Sequence, residues 1–137
     1  MKMMIDYKKD LKKSYRLMKG KSSPERVESA KDEFVGNALQ TLSQAMPIVA
    51  DKVKNRVAKL IFHLDNVARI NGGKIEINLD EEKRILQILC TCDGYYVISK
   101  EKDLTREGFS YLCDYADSFF VINKDKRIEI DATVKME

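Results

Sequence analysis

The stretch Lys74-Ile75-Glu76-Ile77-Asn78-Leu79 decides the fold. Apolar and polar residues alternate through it without a break. Ile75, Ile77 and Leu79 therefore share one face of a strand, and Lys74, Glu76 and Asn78 share the other. A strand that is apolar on one face only belongs to an antiparallel sheet with one wet side. Asn71-Gly72-Gly73 precedes it and closes a helical pattern. The sequence period thus changes from that of a helix to that of a strand at residue 74.

Downstream, Asp80-Glu81-Glu82 reads as a turn. Residues 85–92 are nearly all apolar, as in a central strand, although a helix also fits Ile85, Leu86, Ile88 and Leu89. Strand is preferred because Asp93-Gly94 follows, a two-residue hairpin signal that returns the chain over residues 95–99. Asp103 or Thr105 can cap a helix over residues 104–116, with Leu104, Phe109, Leu112, Cys113 and Ala116 inward. Leu89 and Leu112 are both expected in the core. Residues 119–122 form a strand, Asn123-Lys124-Asp125 a turn, and residues 127–134 a final alternating strand.

Upstream, Val49, Val53, Val57, Leu60, Ile61, Leu64 and Val67 recur at helical spacing over residues 48–70. Pro47 either kinks a longer helix there or makes a tight turn between two. Before it, Val27, Ala30, Phe34, Ala38, Thr41, Leu42 and Ala45 stripe a helix that ends near Met46. Ser23, Pro24 and Glu25 supply its cap, first position and favourable charge. Its small residues Ala30, Gly36, Ala38 and Ala45 would let another helix approach, in this chain or a second copy. Residues 2–19 read as an amphipathic helix, with Met4, Tyr7, Leu11, Tyr15 and Met18 on one face and Gly20 as its stop. The expected architecture is α+β: three N-terminal helices, then an antiparallel sheet of about five strands with one inserted helix, in the order ααα-βββ-α-ββ.

With 137 residues, 44% hydrophobic and 34% charged, the chain suits one globular domain with a single core. Its charge is uneven. Residues 1–70 carry 15 Lys and Arg against 8 Asp and Glu, a net of +7; residues 71–137 carry 10 against 14, a net of −4. The whole-chain value of +3 is too mild to imply nucleic-acid binding by the entire surface, so such a role would need a local patch. No run approaches the roughly 20 apolar residues of a membrane span. Asp6, Lys8 and Lys9 interrupt any signal-peptide core. Three cysteines, an odd number, suit a reducing cytoplasm.

The basic half suggests an interaction surface. Lys8, Lys9, Lys12, Lys13, Arg16 and Lys19 lie away from the Met4–Leu11–Met18 stripe and offer a cationic face to an acidic protein or to nucleic acid. The same run also fits a solvated, solubilising face. Tyr7 and Tyr15 lie on the apolar side, which argues against a base-stacking platform. Phe62, with Ile48 nearby, falls on the largely polar face of the helix over residues 48–70, and both are candidates for exposed apolar contacts or for packing against the helix over residues 2–19.

Cys90 and Cys92 share one strand face. With Cys113 and His63 they make a four-ligand set only arithmetically, because zinc sites use C-x₂-C pairs. Two small buried thiols explain them better. His63, the only histidine, could accept a phosphoryl group, yet the residues around it form no recognised phosphoacceptor motif. No nucleotide-binding loop or hydrolase elbow occurs. The expectation is a non-catalytic cytoplasmic binding or regulatory protein, a small inhibitor or adaptor, with no metal, cofactor or membrane. A nucleic-acid binder using the basic helix and an enzyme or phosphotransfer protein using His63 remain alternatives. A homodimer through the N-terminal helices is left open.

Overall fold

A computed structural model of the chain describes residues 1–7, 25–93, 110–124 and 127–137. The described elements are β1 (Lys2–Asp6), α1 (Glu25–Ala45), α2 (Asp51–Ile70), β2 (Lys74–Asp80), β3 (Ile85–Asp93), α3 (Ser110–Tyr115), β4 (Ser118–Lys124) and β5 (Arg127–Lys135). The strands form one antiparallel sheet in the order β1-β2-β3-β5-β4. The α+β class and the antiparallel sheet follow the alternating pattern at residue 74. The helix order does not: the described residues hold an N-terminal helix pair where three helices were expected.

The amphipathic helix over residues 2–19 fails at its start. Lys2–Asp6 is a strand, paired from Lys2↔Asn78 to Asp6↔Lys74. Met4, placed by helical spacing with Tyr7, is exposed, while Tyr7 is buried. Non-local pairing with β2 overrides a local helical pattern that five residues cannot enforce. Residues 8–19 lie outside the described residues.

The Asp93-Gly94 turn falls at the limit of the described residues, because Gly94 lies outside them. β3 continues through Asp93, which pairs with Arg127 of β5. The other edge of β3 is bonded to β2 from Ile85 to Thr91. Residues 95–99 lie outside the described residues.

One sheet face is apolar. Ile75, Ile77 and Leu79 of β2, Leu86, Ile88, Cys90 and Cys92 of β3, and Ile128, Ile130, Ala132 and Val134 of β5 are all buried. Helix α2 covers β2 and β3 with Val53, Val57, Leu60, Ile61, Leu64 and Ala68, and α1 packs on α2 through Ala38 and Leu42. Leu89, expected in the core, alternates to the opposite face of β3 and is half-buried. That outer face is largely polar: Glu76 is bridged by Lys74 at 2.8 Å and by Lys2 at 3.7 Å. The Lys74 contact, aided by Lys2 and opposed by burial, lowers the pKa of the Glu76 carboxyl.

Pro47 sits in a short turn between α1 and α2 rather than in a kinked helix. At the other end of α2, Gly72 adopts φ 61°, where a side chain would be strained. The Gly73 N–H reaches Ala68 O at 2.6 Å and the Gly72 N–H reaches Arg69 O at 3.4 Å, a Schellman closure that turns the chain directly into β2. Arg84 takes φ 56° in the β2–β3 turn. Its guanidinium donates to Ile48 O at 3.1 Å and Met136 O at 3.2 Å, fastening that turn to the α1–α2 connection and to the end of β5.

Candidate functional site

The solvent side of α2 follows from its spacing. Lys52, Asn55, Arg56, Lys59, Phe62, His63 and Asn66 recur at three and four residues, opposite the buried Val57–Leu60–Leu64 side. Beside this face lies α3, a six-residue helix held by Leu112, which is fully buried, and Tyr111, which is buried. Tyr111 and Tyr115 are one turn apart and both meet α2.

The His63 ring stacks on Tyr111, with centroids 4.7 Å apart and planes at 19°. It also lies nearly parallel to Tyr115 at 6.3 Å. Phe62 meets His63 edge-on at 5.8 Å and remains 51% exposed. Lys59 Nζ stands 5.4 Å over the Tyr115 ring, a cation–π contact. Next along the helix, the Arg56 guanidinium donates to Tyr115 O at 3.3 Å and to Asp117 Oδ1 at 3.1 Å. Asp117 Oδ2 also accepts the Lys135 N–H at 2.6 Å. Burial raises the Asp117 pKa, but the Lys135 amide and Arg56 outweigh it and hold the carboxyl below its ordinary value.

A cleft of ≈ 310 Å³ opens beside this stack. His63, Asn66, Val67, Ser110, Tyr111, Asp114 and Tyr115 line it. Burial, with the Cys90 and Cys92 thiols adding to it, pushes the Tyr111 phenol well above its usual range. Tyr111 therefore stays a neutral hydroxyl at physiological pH and cannot serve as a base there.

Behind the stack, the interior holds a polar cluster. Asp65 is fully buried, and its Oδ1 accepts a hydrogen bond from Tyr7 OH. Cys90 Sγ lies 3.7 Å from Leu64 O and 3.9 Å from Cys92 Sγ. The contact with Cys92 and burial, with Asp65 adding charge repulsion, raise the Cys90 pKa, so the thiol stays protonated. The same strand face holds both thiols, as their spacing required. Cys113 is exposed on α3. Among the described residues no three His, Cys, Asp or Glu side chains come together to hold a metal ion.

Of the residues proposed from sequence for partner binding, Phe62 is exposed, the first of its two readings, and Ile48 is 85% exposed. Lys8, Lys9, Lys12, Lys13, Arg16 and Lys19 lie outside the described residues. The sequence reading missed the Tyr111 and Tyr115 platform and the buried Asp65. The one signal for Asp65 was its position, an acid one turn after Ile61 and directly after Leu64 inside the apolar stripe.

The chain matches no family model, and no curated protein is similar to it at a significant level. Among the described residues no helix is long and apolar enough to cross a membrane.

Proposed function

We propose that this chain is a non-catalytic binding or regulatory protein, a small inhibitor or adaptor, that engages an acidic macromolecular partner in the cytoplasm. The observation that carries this reading is the exposure of Phe62 on the solvent side of α2, one turn after Lys59. An aromatic ring already braced against His63 loses little freedom when a partner covers it, which is what an interface anchor requires. Lys59 and, further back, Lys52 precede it on the same side of α2 and are exposed. Such cations steer an acidic partner and set the association rate more than the final affinity.

The test is recovery of partners from the native host, with and without nuclease. Wild-type protein should retain a protein partner that salt weakens. Phe62→Ala, with an unchanged fold by circular dichroism, should lose it. Replacing Lys9, Lys12, Lys13 and Arg16 with Gln should slow its association. Full recovery by both variants would reject the reading, and loss of the partner on nuclease treatment would favour nucleic acid. The cleft beside His63 favours a second reading, an enzyme or phosphotransfer protein. A phosphorylated His63, or an activity abolished by His63→Ala, would replace the first reading with that one.

A further inference from the structure

Among the described residues, strand β4 forms one edge of the sheet. Backbone alternation shows which of its groups are free. The Met136 N–H bonds to Arg84 O at 2.8 Å, so even-numbered residues of β5 turn their backbone groups toward β3. Odd-numbered residues, including Lys135 with its N–H on Asp117, turn toward β4. In the register Phe120↔Asp131 and Ile122↔Glu129, the even residues of β4 are thus bonded to β5. Phe119, Val121 and Asn123 point their N–H and C=O groups to the open side. Among the described residues, no strand pairs there.

The two sheet edges differ. β1 is five residues long and carries Lys2 and Asp6. β4 is seven residues long and has no ionisable residue before Lys124. Phe119, Phe120 and Ile122 are 36%, 67% and 50% exposed. Charges and shortness are how natural edges resist pairing; β4 is the longer edge and carries a charge only at its last residue, Lys124.

We infer that β4 is a dimerisation edge that pairs antiparallel with β4 of a second copy of this chain, centred on Val121. Only an extended strand can satisfy a row of alternate N–H and C=O groups. An edge without charge up to residue 123 offers an ionic partner nothing to complement. The strand itself meets both requirements. A register centred on Val121 overlaps all seven residues and places Phe120 opposite Ile122 of the second copy on the outer face. Each of Phe119, Val121 and Asn123 then bonds a backbone N–H and C=O across the two-fold axis. Lys124 falls opposite Ser118 of the second copy, so no like charges oppose. The result is a continuous sheet of ten strands. One strand per subunit is a small contact, so the dimer should be weak and concentration-dependent. It does not depend on the Phe62 face, and its test uses no other partner.

Sedimentation equilibrium of the full chain, from low micromolar concentration upward, should show a reversible monomer–dimer transition. Val121→Pro removes an N–H that faces the open side and none that bonds β5. It should weaken dimerisation at least tenfold with little change in far-ultraviolet circular dichroism. Should that variant fail to fold, Phe120→Lys alters only an exposed side chain and should weaken dimerisation likewise. In a Cys113→Ser background, Val121→Cys should form a disulfide-linked dimer on mild oxidation, because facing residues of a bonded pair lie about 5.5 Å apart. Asp51→Cys in the same background should not. A chain that stays monomeric throughout, or a dimer insensitive to both edge variants, would overturn the inference. So would failure of Val121→Cys to cross-link.

Discussion

The Tyr7 hydroxyl donates a hydrogen bond to the Asp65 carboxylate across 58 residues of sequence, and both side chains are buried. The contact fixes the end of β1 to the middle of α2. A buried carboxylate that loses a donor bears the cost of its desolvation. Tyr7→Phe should therefore destabilise the protein by about 1–3 kcal/mol. Urea unfolding followed by circular dichroism measures this, and an unchanged midpoint would show that Asp65 does not rely on Tyr7.

Leu112 of α3 lies in the core, whereas Leu89 of β3 lies on the outer sheet face. Leu112 is fully buried beneath the aromatic stack, so Leu112→Ala should cost about 2–5 kcal/mol. Leu89 is half-buried on the polar face, and Leu89→Ala should cost clearly less. Equal losses in parallel denaturant melts would mean that the facing of β3 is misassigned.

Two glycines should respond in opposite directions. A Cβ on Gly73 would lie 2.5 Å from Thr91 O and 2.6 Å from Cys92 Sγ. Gly73→Ala should thus destabilise by about 1–3 kcal/mol through overpacking. Gly36 is exposed within α1, with nothing within 4 Å of an added Cβ. Gly36→Ala should raise stability by about 0.4–1 kcal/mol, because the unfolded chain loses freedom. The open space also means that the small-residue seam of α1 brings no close neighbour at Gly36. Thermal melts of the two variants give the signs directly.

Asp117 should contribute to the acid limb of stability. Its pKa is lowered on folding, so the unfolded state binds more protons as the pH falls. Its stabilisation is complete at neutral pH, begins to fade below about pH 4 and is gone once the pH passes below the lowered value. The side chain is 33% exposed, so solvent screening limits the neutral-pH loss in Asp117→Asn to about 1 kcal/mol or less. The measurement is unfolding free energy against pH for both proteins. Curves separated equally at neutral and strongly acidic pH would exclude this role.

The strand face of Ile75, Ile77 and Leu79 and the apolar side of residues 48–70 were legible because each repeats a local period. Phe62 stood out because it broke that period, but its exposure was only one of two readings. β1 was not, since Met4 and Tyr7 fit a helical step, and its strand state exists only through pairing with Lys74–Asn78. The stack of His63 on Tyr111 likewise joins segments that share no sequence pattern.

The strand order has a consequence for how the molecule is made. β3 is central, and its second neighbour is β5, which a ribosome delivers only after α3 and β4. β1, made first, cannot pair until both helices and β2 have emerged. During synthesis β3 therefore waits with one edge open and its apolar face only partly enclosed. Closing such non-local pairs is slow, and an exposed strand edge is a hazard for aggregation in the interval. Expression of this protein should accordingly depend on chaperones that hold unfinished chains, and truncations that remove β5 should accumulate as insoluble material rather than as smaller folded domains.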